Sequence, residues 1–371
     1  MDTMELAVLD TNFDIVGFLD NFESLIWTDR YSKCGDFEIY TGAGSDILSL
    51  AKKDYYLWNK NSDRLMIIEK QEIDTDYESG NKIKITGRSL ESILDRRIVW
   101  GQKDVTGSLQ DKLKEILTEN IISPSIASRK ISNFIFEAST DTKITSLTID
   151  KQYKGDNLYT LVQGLCEDNN LGFKITLNSY HQFVFKLYFG VDHSYKQTAL
   201  PYIVFSPSYD NLSGSNYIDS NEKYKNVNLV EQEYTPKTDG STTSNSINEQ
   251  VVIGTSEGLS RREMYTSGNV QQTLDDKTEL TEAQFISKMK DQGNTEINKV
   301  STTTTFEGDI VNEGQYVYGK DFQIGDIVEI RNEYNVEGRV RITEVVRADK
   351  ESGTSIVPTL EAIGLNDKFD Q

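Results

Sequence analysis

Lys82-Ile83-Lys84-Ile85-Thr86 alternates polar and β-branched apolar residues without a break, which is the period of a strand with one buried face. Its neighbours repeat the signature. Gly35-Asp36-Phe37-Glu38-Ile39-Tyr40 sets Phe37 and Ile39 opposite its acids, and Arg64 to Ile73 is rich in β-formers around Leu65-Met66-Ile67-Ile68. The runs are separated by the turn-forming clusters Asp10-Thr11-Asn12, Ser32-Lys33-Cys34-Gly35, Lys60-Asn61-Ser62-Asp63 and Glu78-Ser79-Gly80-Asn81. The first hundred residues therefore predict an antiparallel meander or small barrel.

Working outward, the period changes. Ser108 is placed to cap a helix with Asp111 three residues on, followed by Leu109, Leu113, Ile116, Leu117 and Ile121 at helical spacing. Leu158, Leu161, Val162, Leu165 and Cys166 form one face of a second helix, and strands are predicted over 173–177 and 183–189. This gives an α/β insertion over 105–199. Strand-like segments resume from Tyr202, then the polar run Pro236 to Ser246 has nothing to bury and predicts a linker or long loop. Thr281 with Gln284 makes a capping box, with Leu280 and Phe285 at the staple positions, for a helix over about 281–292. Strands close the chain at 326–330, 339–346 and 355–363. Pro358 marks the last as an edge strand or a bulge.

The 371 residues are enough for two to three domains. With 39 basic against 59 acidic residues the formal net charge is −20, which repels phosphate and argues against gripping nucleic acid or an anionic membrane. The excess is uneven: 13 basic and 20 acidic residues in 1–105, 10 of each in 106–200, and 16 against 29 in 201–371. One reading is solubility; the sharper one is that the β-rich regions line a passage phosphate must traverse without sticking. Cys34 and Cys166 are too few and too far apart for a disulfide framework or a zinc site. No run reaches the ~18 apolar residues of a membrane span, and the start Met1-Asp2-Thr3-Met4 lacks the form of a signal peptide. A reduced, cytoplasmic site of synthesis is expected.

Chemistry-bearing motifs are missing from the sequence. Gly42-Ala43-Gly44 lacks the third glycine and the βαβ context of a dinucleotide site, and Ser213-Gly214-Ser215 reads as a loop. His181 and His193, twelve apart, give no zinc-hydrolase pattern. Asp74/Asp76, Glu231/Glu233 and Asp275/Asp276 are carboxylate pairs of the kind that arise by chance among 59 acids. A Cys34 or Cys166 pairing with His181 or His193 is weak, because Cys166 sits on an apolar helix face. Asp95-Arg96-Arg97 and Arg261-Arg262 read as salt-bridge or interface residues rather than a nucleic-acid patch. No catalytic, cofactor-binding or metal-binding residue is assigned, and no cofactor.

Several segments carry a resemblance. Ile85 to Val99 (Ile-Thr-Gly-Arg-Ser-Leu-Glu-Ser-Ile-Leu-Asp-Arg-Arg-Ile-Val), Phe189-Gly190-Val191-Asp192-His193-Ser194, Val204 to Leu212, Tyr217 to Val227, Arg261-Arg262-Glu263-Met264-Tyr265 and Phe322-Gln323-Ile324-Gly325-Asp326-Ile327-Val328 occur in an order that covers nearly the whole chain. Together they resemble the baseplate hub, or tail-associated (Tal-like) proteins, of siphophages that infect Gram-positive bacteria, themselves similar to the hub of contractile phages. The resemblance implies a β-rich α+β fold with two antiparallel, tube-like β-barrels, an α/β insertion and a helical accessory region. Mapped here, the first barrel takes 1–104 with a return strand in 200–237, the insertion 105–199, and the second barrel 238–371. It further implies a homotrimer in which three chains of two barrels give six similar units. That trimer would close or gate the tail tube in the virion, without enzymatic activity or stable membrane insertion. Its implied partners are a distal tail ring protein, receptor-binding or fibre proteins and the tape measure protein, with DNA passing transiently. A contractile-particle hub holding a spike, a cell-wall hydrolase with an unrecognised site, and a carbohydrate-binding adhesin are the alternatives.

Overall fold

The structure is a computed structural model, described over residues 4–76, 80–236, 243–274, 277–300, 303–310, 315–350 and 353–363. The alternating segments do become strands: Asp36–Gly42, Leu65–Asp76 and Gly80–Ser89 pair antiparallel, with Phe37, Ile39, Ile83 and Ile85 buried as their parity requires. Among the described residues they belong to a 13-stranded sheet. Its order is Leu212–Ser220, Thr303–Ile310, Gly353–Ala362, Glu337–Lys350, Ser24–Arg30, Asp36–Gly42, Gly80–Ser89, Leu65–Asp76, Tyr56–Asn59, Leu6–Leu9 and Ile15–Leu19. Ile327–Arg331 adds to Glu337–Lys350, and Val204–Phe205 pairs parallel with Ile327–Arg331.

The strand Glu337–Lys350 explains why the sheet is single. Its first half pairs with Ile327–Arg331 and its second half with Ser24–Arg30, while Gly353–Ala362 runs along its other edge. Two β units thus share one strand. Each still has its own core, one built on Leu6, Leu25, Trp27, Ile39 and Met66, the other on Phe205, Phe306, Phe322, Val328 and Ile342. The β-rich α+β character expected from the sequence is present. Among the described residues, however, the ladder is an open path ending at Leu212–Ser220 and Ile15–Leu19, and not two closed rings of hydrogen bonds.

The return strand expected within 200–237 is placed differently. Val204–Phe205 and Leu212–Ser220 pair with Ile327–Arg331 and Thr303–Ile310, so they complete the C-terminal unit. Their apolar residues decide this, because Ile203, Phe205 and Leu212 pack with Phe306, Phe322 and Val328. Val227–Tyr234 joins neither unit. It forms a three-stranded sheet with Asn245–Val252 and Glu263–Ser267, backed by the helix Glu282–Asn298. The Pro236–Ser246 run is accordingly a connection between two paired strands, with Asn245 and Ser246 already in the second, and not a link between barrels. Residues 237–242 of that run lie outside the described residues.

The local signals for helices hold. Ser108 Oγ accepts from the Asp111 N–H at the start of Leu109–Leu117, and Thr281 and Gln284 satisfy each other's backbone N–H groups in a capping box. Leu280 and Phe285 are buried together, and that helix runs on to Asn298, beyond the expected 292. The helix Leu158–Asp168 turns Leu158, Leu161, Val162, Leu165 and Cys166 inward. The insertion packs this helix and the sheet of Phe134–Glu137, Phe183–Tyr188 and Gly172–Leu177 into a core that also takes Leu65, Ile67, Leu90 and Leu94 from the first β unit. Pro358 is buried opposite Val345, next to the register shift between Ile342 and Glu344.

Gly87 tests the packing of the first unit. A Cβ there would sit 1.8 Å from the Ile67 carbonyl oxygen and 2.8 Å from the Phe37 ring, beside the bulge between Ile68 and Lys70. Gly87→Ala is expected to lower stability by about 1–3 kcal/mol, read as a reduced urea midpoint with an unchanged slope.

Candidate functional site

Tyr31 ends the strand Ser24–Arg30 and meets all three large blocks. Its N–H donates to the Thr343 oxygen (2.9 Å) in the shared strand, and its carbonyl accepts from the Phe173 N–H (3.2 Å) in the insertion. Its hydroxyl lies 3.1 Å from the Asn170 oxygen and 3.3 Å from the Tyr188 oxygen, and accepts from Arg341 Nη1 at 3.1 Å. The Arg341 guanidinium also covers the ring at 4.8 Å, and Tyr188 meets it edge-on at 5.3 Å. Glycine makes the room: a Cβ on Gly172 or Gly325 would fall 2.3 or 2.5 Å from the Tyr31 ring. Burial pushes the hydroxyl's pKa up to about 12.

Buried charge continues from this wedge. Arg347 Nη1 donates to Asp29 Oδ2 at 2.6 Å, with both side chains almost fully buried, and Asp29 also accepts from Trp27 Nε1 and Ser62 Oγ. Arg64 pairs with Glu91 in the interior, and Glu91 Oε1 accepts from the Ile175 N–H at 2.8 Å. Burial opposes the Arg64 charge most strongly, yet Glu91 together with Tyr188, Asp63 and Asp29 more than offsets it and holds the guanidinium protonated. Asp63 is raised by burial and lowered further by Arg64 and Lys174, so it stays ionised. Asp29, Arg64, Tyr188, Tyr318 and Arg347 line a cavity of about 1390 Å³ between the two β units and the insertion. These groups couple blocks; the arrangement offers cross-links rather than a nucleophile with a base.

Of the segments that carry the resemblance, Phe189–Ser194 and Phe322–Val328 are built into the same seams, and the others tie together the units they belong to. Gly190 and Gly325 pass so closely that a Cβ on Gly190 would lie 1.9 Å from the Gly325 oxygen. Asp326 accepts from the Val191 N–H (2.7 Å) and the Gln323 N–H (2.8 Å), and Asp192 pairs with Arg339 at 3.0 Å. Ser89 Oγ accepts from the Gly35 N–H, and buried Asn211 ties Ser206 to Val204. Asn226 donates to the Thr255 and Ser260 oxygens and accepts from the Arg262 N–H. In most of these contacts a side chain holds backbone in place.

The residues weighed for chemistry are dispersed. Cys166 is fully buried in the insertion core, and Cys34 is buried with its N–H donating to the Tyr159 hydroxyl; burial raises both thiols. His181 lies in a turn against Phe13, whereas His193 is 3.8 Å from Asp326. Asp74 and Asp76 are exposed on a strand, and Glu231 accepts from Ser246 Oγ. Asp275 and Asp276 lie outside the described residues. Among the described residues no three His, Cys, Asp or Glu side chains gather as metal ligands. Asp95 pairs with Arg88, Arg96 with Asp54 and Arg261 with Glu263, the salt-bridge role expected of these runs. Sequence reading overlooked Asp29, Tyr31, Arg64 and Arg347. A signal was present, since Asp29 falls on the buried parity of Leu25 and Trp27.

Two outcomes follow from this chemistry. Arg347→Met leaves Asp29 buried without its cation and is expected to cost about 3–5 kcal/mol in urea unfolding, whereas the double variant with Asp29→Asn recovers part of it. A tyrosine whose folded pKa is raised contributes stability that is complete below the unfolded value near 10 and is lost as pH rises through the folded value. For Tyr31 and Tyr318, both pushed up to about 12, the stability measured by unfolding against pH is expected to fall between about pH 10 and 12.

No curated protein matches the sequence. Solved structures do match the fold. The 43 kDa tail protein of prophage MuSo2 from Shewanella oneidensis shares 12% identity over 96% of this chain and 98% of its own, with a TM-score of 0.55. Prophage tail protein gp18 from Listeria monocytogenes shares 11% over 96% of this chain and 94% of its own (TM-score 0.53). A tail protein from Neisseria meningitidis shares 12% over 98% of both chains (TM-score 0.53). At these identities the likeness is one of fold. The sequence itself supplies the family, because residues 5–360 match the Siphovirus ReqiPepy6 Gp37-like proteins. The chain belongs to that family of Siphovirus ReqiPepy6 Gp37-like proteins.

Proposed function

We propose that the chain is the structural hub at the distal end of a phage tail, acting as a homotrimer without enzymatic activity. The observation that carries this reading is the shared strand Glu337–Lys350, which fuses two separately cored β units into one body. Three such chains present six comparable units, the number needed to seat a three-fold hub on a six-fold tube. The domain scheme becomes a first tube-like unit over 1–104, the insertion over 105–199 and a second tube-like unit in the C-terminal part. The 200–220 strands move to the second unit, and each curled half-sheet serves as its barrel.

Surface chemistry supports assembly. The sheet ends at Ile15–Leu19 with Ile15, Val16 and Phe18 exposed, and at Leu212–Ser220 with Ile218 exposed. Open edges carrying apolar side chains are features that an assembly covers. The hub closes or gates the tube beneath a distal tail ring protein, contacts the tape measure protein, and organises receptor-binding or fibre proteins around it. It is assembled in the host cytoplasm and resides in the virion at the tail tip. The excess carboxylates of the two β-rich regions face the channel, where a negative wall lets DNA pass without adhering.

Light scattering and electron-microscope class averages of the purified protein, alone and with the distal tail ring protein, test the reading. A three-fold ring with a central opening or plug is expected. A chain that stays monomeric even beside its ring partner overturns it. In a resolved ring, carboxylates concentrated on the outer wall would remove the electrostatic part of the proposal while leaving the hub.

A further inference from the structure

The strands Val227–Tyr234, Asn245–Val252 and Glu263–Ser267 and the helix Glu282–Asn298 enclose a core of their own, made of Val230, Tyr234, Val270, Leu280, Phe285 and Met289. Among the described residues no hydrophobic cluster contains side chains from both this accessory unit and the rest of the chain. The chain also enters and leaves the unit side by side, where the Lys225 N–H donates to the Val300 oxygen at 3.1 Å. A unit with its own core on such a neck needs something other than shared apolar packing to fix its orientation.

Polar contacts with the insertion supply it. Lys288 Nζ lies 2.6 Å from Asp104 Oδ1 and 3.0 Å from Asp150 Oδ1, and its side chain is only 4% exposed. Ser287 Oγ donates to Asp150 Oδ2 at 2.7 Å, and Thr106 Oγ1 steadies the same carboxylate from the insertion side. The Gln152 side chain accepts from the Gln271 N–H (2.8 Å) and donates to the Gln271 oxygen (3.2 Å). The insertion's contributions all come from the paired strands Gln102–Ser108 and Thr148–Lys154. Such groups exchange protein partners for water at small net change, so a polar seam opens far more readily than an apolar one of equal size.

We propose that the accessory unit is an arm that swings as a rigid body about the neck at Lys225 and Val300, held against the insertion by the Lys288 latch and able to open without unfolding. The motion stands on the seam alone; its use in opening a tail tip rests on the hub reading.

Pulsed electron-spin distance measurement on the full chain tests it. Spin labels go on Tyr180→Cys in the insertion and Leu259→Cys in the arm, both highly exposed, while Cys34 and Cys166 are buried from the reagent. The unsubstituted latch is expected to give one narrow distance. Lys288→Met shifts the distribution so that a longer population predominates, with far-ultraviolet circular dichroism and the hydrogen-exchange protection of Leu109–Leu117 and Leu158–Asp168 retained. Asp150→Asn, which keeps the volume, gives an intermediate shift that grows with salt. A narrow distance that persists in both variants overturns the proposal, as does a shift that comes only with loss of protection across the insertion. Neither result bears on the trimer, which is read separately by mass and symmetry.

Discussion

The structure depends on one strand serving two masters. Glu337–Lys350 gives its first half to the C-terminal β unit and its second half to Ser24–Arg30 of the first, so neither sheet is complete without it. A flexible linker would leave two β units free to reorient, whereas a common strand fixes their angle through backbone hydrogen bonds and the twist of the sheet itself. Tyr31, at the end of the partner strand, then locks the insertion into the same corner through hydroxyl, ring face and backbone at once. For the proposed hub, rigidity of this kind is the property that repeated assembly requires.

Charge is used in two distinct ways. Outside, carboxylates outnumber cations, most strongly in the β-rich regions, and this sets the long-range field. At the junction, Arg347 with Asp29 and Arg64 with Glu91 are buried and bridge segments distant in sequence. Buried pairs are poor sources of net stability but strict about geometry, because a shifted interface strands a charge in a low-dielectric interior. The junction is therefore selective for one arrangement of the blocks. The arm, in contrast, is joined through groups that water can replace.

Much of the local structure was legible in the sequence. Alternation located Gly80–Ser89 and Asp36–Gly42, the caps at Ser108 and Thr281 located two helices, and the apolar face of 158–166 identified Cys166 as core. Pairing was less legible. Val204–Phe205 and Leu212–Ser220 read as strands, but nothing local to them names Ile327–Arg331 or Thr303–Ile310 as neighbours, so they were assigned to the wrong unit. Pro236 to Ser246 has the composition of a linker, yet the same composition suits a loop between two paired strands, and only the ladder separates the two. The junction residues escaped because a buried charge looks like an irregularity until its partner is known, and Asp29 and Arg347 are 318 residues apart.

That separation has a consequence during synthesis. Arg30 and Glu344 are 314 residues apart in the chain and bonded in the fold. At roughly 5–20 residues per second, the ribosome takes on the order of 15–60 s to deliver the partner of Ser24–Arg30 after that strand has emerged. Throughout this interval a strand carrying Leu25, Ile26 and Trp27 has one flank waiting, open to any other nascent edge in the cell. Translation speed thus sets how long that flank stays unpaired, and slowing elongation through the last hundred codons lengthens the exposure without altering a single contact in the finished fold.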